Sequence, residues 1–164
     1  MKIIVKGAII LFTVFLELLI SNIIDINMVK PDLMLIVIIC LSFIFGAQEG
    51  TIMGFTGGLL KDIFSVNLLG INALAKTVIG YFSGVIREKI FYQHLMWIVA
   101  IFTFIFTFIN NSILYFIMNA LQADYNFAII LKNTVLIQAI INSILSPLIY
   151  IGIKKVFIYI KRWS

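Results

Sequence analysis

The chain is poor in the residues that build most catalytic and metal-binding sites. It has one cysteine and one histidine. Cys40 sits inside an apolar run, so it has no internal disulfide partner and says nothing about redox compartment. His94 falls in a polar loop and reads as a solvated side chain. HExxH, CxxC and P-loop patterns are absent. Gly80-Tyr81-Phe82-Ser83-Gly84 does not have the spacing of a nucleophile elbow. No nucleophile can be paired with a general base along the sequence, and no cofactor or metal site is expected.

Charge is scarce as well. Only 12% of residues are charged, against about a quarter in a soluble domain. Hydrophobic residues make up 63% of the chain and the mean hydropathy is +1.16. A water-soluble protein of 164 residues has no core large enough to hide so much apolar surface. A bilayer removes the difficulty by acting as the solvent for the outer faces. The net charge of +5 is modest, and its placement argues for membrane orientation and not for nucleic-acid binding.

The abundant Ile, Phe and Val favour strands in water, but in hydrocarbon a helix satisfies its own backbone and an open strand does not. A barrel needs alternation, whereas residues 33–45 are apolar at nearly every position. The expected fold is an all-α integral membrane protein, a bundle of six transmembrane helices forming a single membrane domain over residues 1–164. The spans are expected at about residues 4–24, 32–45, 50–64, 68–86, 95–118 and 127–153. Lys2 and Lys6 before the first apolar stretch mimic a signal peptide, but no small-x-small site follows, so the stretch reads as an uncleaved span. Pro31 suits a helix start, and Asp32 reads as a first-turn carboxylate that stabilises the helix dipole. The second and third spans are short, and together they fit a hairpin that dips or tilts.

The positive-inside rule orients the bundle. With six spans both termini share one side, which collects Lys2, Lys6, Arg87, Lys89, Lys154, Lys155, Lys161 and Arg162. The other side receives Lys30, Lys61 and Lys132. Both termini are therefore expected in the cytoplasm, with Tyr92, Trp97, Tyr150, Tyr159 and Trp163 near that interface.

Polar residues recur every four positions: Thr13, Glu17, Ser21 and Asp25; then Thr103, Thr107 and Asn111; then Thr134, Gln138, Asn142 and Ser146. Such a stripe lies on one helix face and must meet other helices or a cavity. Glu17, Lys76, Gln138 and Asn142 are the expected buried polar residues. Gly46, Gly50, Gly54 and Gly58 are also four apart, and Gly80 and Gly84 answer them in the fourth span. Small residues at this spacing let helix backbones approach closely, either within the bundle or against another protein's membrane helix. Adjacent Lys61 and Asp62 point in different directions, and Lys76 is a candidate partner for Asp62.

The ordered set Pro31-Asp32-Leu33, Gly54-Phe55, Gly58-Leu59-Leu60, Asp62, Gly70, Ala73, Gly80-Tyr81 and Gly84 resembles the rod shape-determining protein MreD family of bacteria. The resemblance implies a non-enzymatic, multi-pass protein of the cytoplasmic (inner) membrane that serves the cell-elongation machinery. It implies an MreC-like single-span partner, and association with the MreB cytoskeleton and the RodA and penicillin-binding-protein synthases that extend peptidoglycan. Gly50, Gly54, Phe55, Gly58, Asp62, Gly70, Gly80, Tyr81 and Gly84 are then the candidates for partner docking or helix packing. The family is also similar in architecture to the S components of energy-coupling-factor vitamin transporters. That likeness supports an alternative, a vitamin-binding subunit whose pocket would use Asn110, Asn111, Gln138 and Asn142.

Overall fold

The computed structural model of the chain describes residues 2–23, 29–64, 69–89, 95–120 and 134–162. Among them it is all-helical, with six helices in chain order: α1 (Lys2–Ile23), α2 (Leu33–Phe45), α3 (Ala47–Phe64), α4 (Ile71–Lys89), α5 (Leu95–Ala120) and α6 (Leu136–Arg162). The expected helix positions agree within a few residues for the first five. For the sixth, residues 127–133 lie outside the described residues, and the described helix runs nine residues past 153 to Arg162. The basic tail expected after residue 153 is thus largely helical and carries Lys154 and Lys155 on α6. Asp25, Tyr92, His94, Lys132 and Trp163 lie outside the described residues.

Among the described residues, two stretches are long and apolar enough to cross a membrane by themselves, Met96–Ile117 in α5 and Leu136–Ile160 in α6. The helix α2 is apolar but has only 13 residues, about 20 Å at 1.5 Å per residue. Its role is different from that of a lipid-facing span. Every residue from Leu33 to Phe43 is buried, and α2 packs against each of the other five helices. An all-round apolar helix belongs in the middle of a bundle. It has no polar face, and its side chains from Leu33 to Leu41, together with Phe43, form the centre of the apolar core.

Around α2, α3 and α4 form one tight antiparallel pair and α5 and α6 form another. The peripheral helix is α1, whose Ile4, Leu11, Phe12 and Phe15 are exposed. Local chemistry sets the helix ends. Asp32 is the N-cap of α2, and its side chain accepts from the Leu35 N–H at 2.9 Å. Gly46 separates α2 from α3 in a backbone conformation with φ 94°, which a glycine adopts without steric cost. Pro147 stands inside α6 and leaves the Ser143 carbonyl without its i+4 N–H donor. The Ser146 hydroxyl donates to that carbonyl at 3.0 Å and fills the gap.

Candidate functional site

The α3–α4 interface is built on the glycines that the sequence singles out. A Cβ placed on Gly50 would meet the Gly80 carbonyl and Ser42; on Gly54 it would meet the Lys76 carbonyl; on Gly58, the Asn72 carbonyl and Ala73. On Gly80 it would meet Gly50, and on Gly84 it would meet Gly46 and Ala47. These pairings fix an antiparallel register in which paired residue numbers sum to about 130. The glycine face is therefore turned inward, and backbone lies on backbone as close-packed membrane helices require. Gly70 has a different use. It has φ 101° and opens α4, with nothing near its Cβ position.

Phe55 and Tyr81 lie differently. Each follows an interface glycine by one residue, so on antiparallel helices both emerge on the same side of the pair. They are 50% and 49% exposed, respectively.

Buried Asp32, Asp62, Asn72, Lys76 and Asn142 gather at the end of the bundle where α2 and α4 begin and α3 finishes. Asp32 is the centre. Its Oδ2 lies 3.0 Å from the Lys76 Nζ, and its Oδ1 lies 2.9 Å from the Lys61 Nζ. Lys61 also meets the Glu17 carboxylate at 2.6 Å, and the other Glu17 oxygen accepts from the Met34 N–H at 3.2 Å. Two ammonium groups and two carboxylates thus alternate across α1, α2, α3 and α4, with formal charges that sum to zero. The side chain of Lys76 is fully enclosed, whereas those of Lys61 and Glu17 are 24% and 21% exposed. Charges taken out of water hold only when paired and hydrogen-bonded in this way.

The ion-pair partner expected for Lys76 needs correction. Lys76 pairs with Asp32, and it reaches Asp62 only through Asn72. The Asn72 Oδ1 accepts from Lys76 at 3.1 Å, and its Nδ2 donates to Asp62 at 2.8 Å. Asp62 receives the backbone N–H groups of Gly70, Asn72 and Ala73 at 2.9, 3.1 and 3.0 Å. A carboxylate at the end of α3 therefore caps the start of α4, where unsatisfied N–H groups and the helix dipole favour an anion.

From Asp32 the network continues into α5 and α6. The Asn142 Oδ1 accepts from the Asp32 N–H at 3.1 Å, and its Nδ2 donates to Thr107 at 3.2 Å. Asn111 donates to Gln138 at 2.9 Å, and Gln138 donates to the Lys30 carbonyl at 2.8 Å. Of the residues expected from sequence to be buried and polar, Lys76 and Asn142 are buried, while Glu17 and Gln138 are half-buried; all four belong to this system. Asn110 is buried, but its Oδ1 has no hydrogen-bond partner among the described residues.

Sequence reasoning missed Asn72 and underrated Asp32 and Lys61. The i,i+4 spacing of Asn72 and Lys76 was a usable signal, because it sets both on one face of α4. Nothing local in the sequence announces that Asp32 meets two lysines. Those contacts span 29 and 44 positions along the chain.

The opposite end of the bundle is fastened separately. Lys6 pairs with Glu49 at 2.9 Å and lies over the Phe45 ring at 4.0 Å. Phe45 in turn meets Phe157 edge-on at 4.7 Å. The Glu88 carboxylate accepts from the Ala47 N–H at the start of α3.

A family model described as rod shape-determining protein MreD matches residues 1–156. Searches of curated proteins and of solved structures found no match. The match covers nearly the whole chain and agrees with a helical protein containing membrane-capable helices. The chain belongs to the MreD family, bacterial membrane proteins that act in rod-shape determination.

Proposed function

We propose that this chain is a non-enzymatic, six-span scaffold of the cell-elongation machinery in the bacterial cytoplasmic membrane, with both termini in the cytoplasm. It docks the membrane helix of an MreC-like single-span protein and, through that partner, helps organise the MreB cytoskeleton and the RodA and penicillin-binding-protein synthases. The observation that carries this reading is the α3–α4 pair. Its glycines are closed inside the bundle, while Phe55 and Tyr81 stand out together from one side. A helix pair locked by backbone contact presents a fixed apolar surface, which favours docking over a flexible one.

The docking surface is therefore the rim bearing Phe55 and Tyr81, and the glycine face supports it from within. Co-purification of a tagged chain with its single-span partner tests this. Phe55→Ala with Tyr81→Ala lowers recovery of the partner while the chain remains monodisperse. Full recovery of the partner with that double variant sinks the reading.

The vitamin-binding alternative has less support. Asn111 donates to Gln138, and Gln138 and Asn142 are bonded to Lys30 and Asp32 just before α2, which leaves Asn110, among the described residues of this set, with an open acceptor. Mass spectrometry of the purified protein separates the two readings, since a stoichiometric vitamin overturns the scaffold.

A further inference from the structure

An apolar groove of about 310 Å³ runs between α4 and α5. Its floor is Ile79 and Phe106, which are 0% and 4% exposed; Val78, Phe82, Ile105 and Ile109 form its half-exposed walls. Ile86 and Phe102 close the end nearer the α4 C-terminus. Every lining side chain is a hydrocarbon, so the groove has nothing to offer a sugar, an ion or a peptide backbone.

Its shape also decides between a helix and a single chain. Membrane helices approach through small residues, and this groove is walled by aromatic and branched side chains. A helix about 10 Å across does not enter such a slot; one extended hydrocarbon chain does.

The charge at one end identifies the rest of the occupant. Lys89 lies three residues after Ile86, on the same face of α4, and is exposed. Arg87 instead turns its guanidinium toward Gly46. Trp97, 74% exposed in the first turn of α5, marks the same level as an interfacial aromatic. From Lys89 to Val78 the helix rises about 16 Å, close to half of a hydrocarbon core about 30 Å thick. The groove thus spans one leaflet, with a cation at headgroup depth.

We infer that the α4–α5 groove is a binding site for an anionic glycerophospholipid of the cytoplasmic leaflet, with one acyl chain in the groove and the phosphate on Lys89. The site rests on the orientation proposed above and not on the docking role. It places a lipid of chosen headgroup charge against the helix pair that carries Lys76 and Tyr81.

Tryptophan quenching tests it on the full chain. The sequence has two tryptophans, Trp97 and Trp163, so Trp163→Phe leaves Trp97 as the reporter. The protein is reconstituted in phosphatidylcholine vesicles containing brominated phosphatidylglycerol, or brominated phosphatidylcholine as the reference. Phosphatidylglycerol is expected to be preferred by about fivefold, the effect of one lysine near an anionic surface. Lys89→Gln removes the preference and Lys89→Arg keeps it. Paired Lys154→Gln and Lys155→Gln leave it intact. Val78→Phe with Ile105→Phe narrows the groove and lowers quenching by both lipids.

Equal quenching by the two lipids overturns the site, as does a preference that survives Lys89→Gln. Equal loss with the Lys154 and Lys155 variants shows diffuse surface charge and also overturns it. So does a narrowed groove that leaves quenching unchanged and blocks capture of the single-span partner, which assigns the slot to a helix. Loss of partner capture in the Phe55 and Tyr81 variants does not move the lipid ratio, so the two proposals fail separately.

Discussion

Lys76 of α4 and Asp32 at the head of α2 form an ion pair of 3.0 Å between side chains that are 0% and 7% exposed. The pair joins the central helix to the glycine-packed α3–α4 unit. Lys61 and Asn142 extend it to the remaining helices. Removal of Lys76 leaves the buried network with one negative charge in excess, Asp32 and Glu17 sharing Lys61 alone, whereas removal of Lys76 and Asp32 together leaves a neutral Lys61–Glu17 pair.

Lys76→Met should therefore destabilise the chain by about 3–5 kcal/mol, the cost of breaking a buried pair. Lys76→Met combined with Asp32→Asn should recover part of that loss, because Asn retains a cap for α2. Thermal unfolding in detergent, followed by the loss of monodisperse protein, measures both. A single variant as stable as the parent contradicts the buried-pair account.

Asn142 uses its acceptor on the Asp32 N–H and its donor on Thr107. Asn142→Leu strands the Asp32 N–H and should cost about 1–3 kcal/mol, as for a buried polar group left unmade, while the Thr107 hydroxyl keeps its bond to the Thr103 carbonyl. Asn142→Asp keeps the acceptor but adds a negative charge beside the Asp32 region, and is expected to be worse than Asn142→Gln. The order of melting temperatures checks this.

Two groups of helical glycines are separated by the same assay. Gly54→Leu and Gly80→Val force side chains into the backbone of the facing helix, so loss of folded protein is expected. At Gly7 and Gly152 an added Cβ meets nothing within 4 Å. Gly152→Ala lies within α6 and should be neutral or stabilising by up to about 1 kcal/mol from helix propensity alone. Recovery of partner tests docking only in variants of the exposed rim, since the interior glycine variants fail earlier.

Ser146 and Pro147 should behave as a coupled pair. Ser146→Ala leaves the Ser143 carbonyl without a donor and should cost about 1 kcal/mol. In a Pro147→Ala background the backbone N–H returns, and the same change should cost almost nothing. Equal costs in both backgrounds reject the coupling.

Orientation is open to cysteine labelling. The lone Cys40 is buried and can be replaced by Ala, which clears the background. Lys30→Cys is expected to label from outside the cell and Lys154→Cys only after the cytoplasmic side is opened. The reverse pattern inverts the topology and withdraws the lipid site with it.

Much of this was legible along the chain because the signals are local. A continuous apolar run at residues 33–45 can only be a helix with no polar face, and Gly50, Gly54 and Gly58 are spaced for one helix face. Glu17, Gln138 and Asn142 stood out because a polar residue in such a run must find a partner. Their partners were not legible. The choice of Asp32 for Lys76, and of the α4 N-terminus for Asp62, depends on which helix ends meet.

By itself, then, the sequence determined an all-helical, lipid-suited chain with a close-packing glycine face and a small set of buried polar groups. Composition and four-residue spacing act within each helix and need no knowledge of neighbours. The tertiary structure decided that the shortest apolar helix, α2, lies at the centre, that the glycine face is turned inward, and that Asp32 is the junction of the charge network. Those outcomes depend on contacts between residues tens of positions apart, where close packing and charge neutralisation select one arrangement of the helices from several that the local pattern permits.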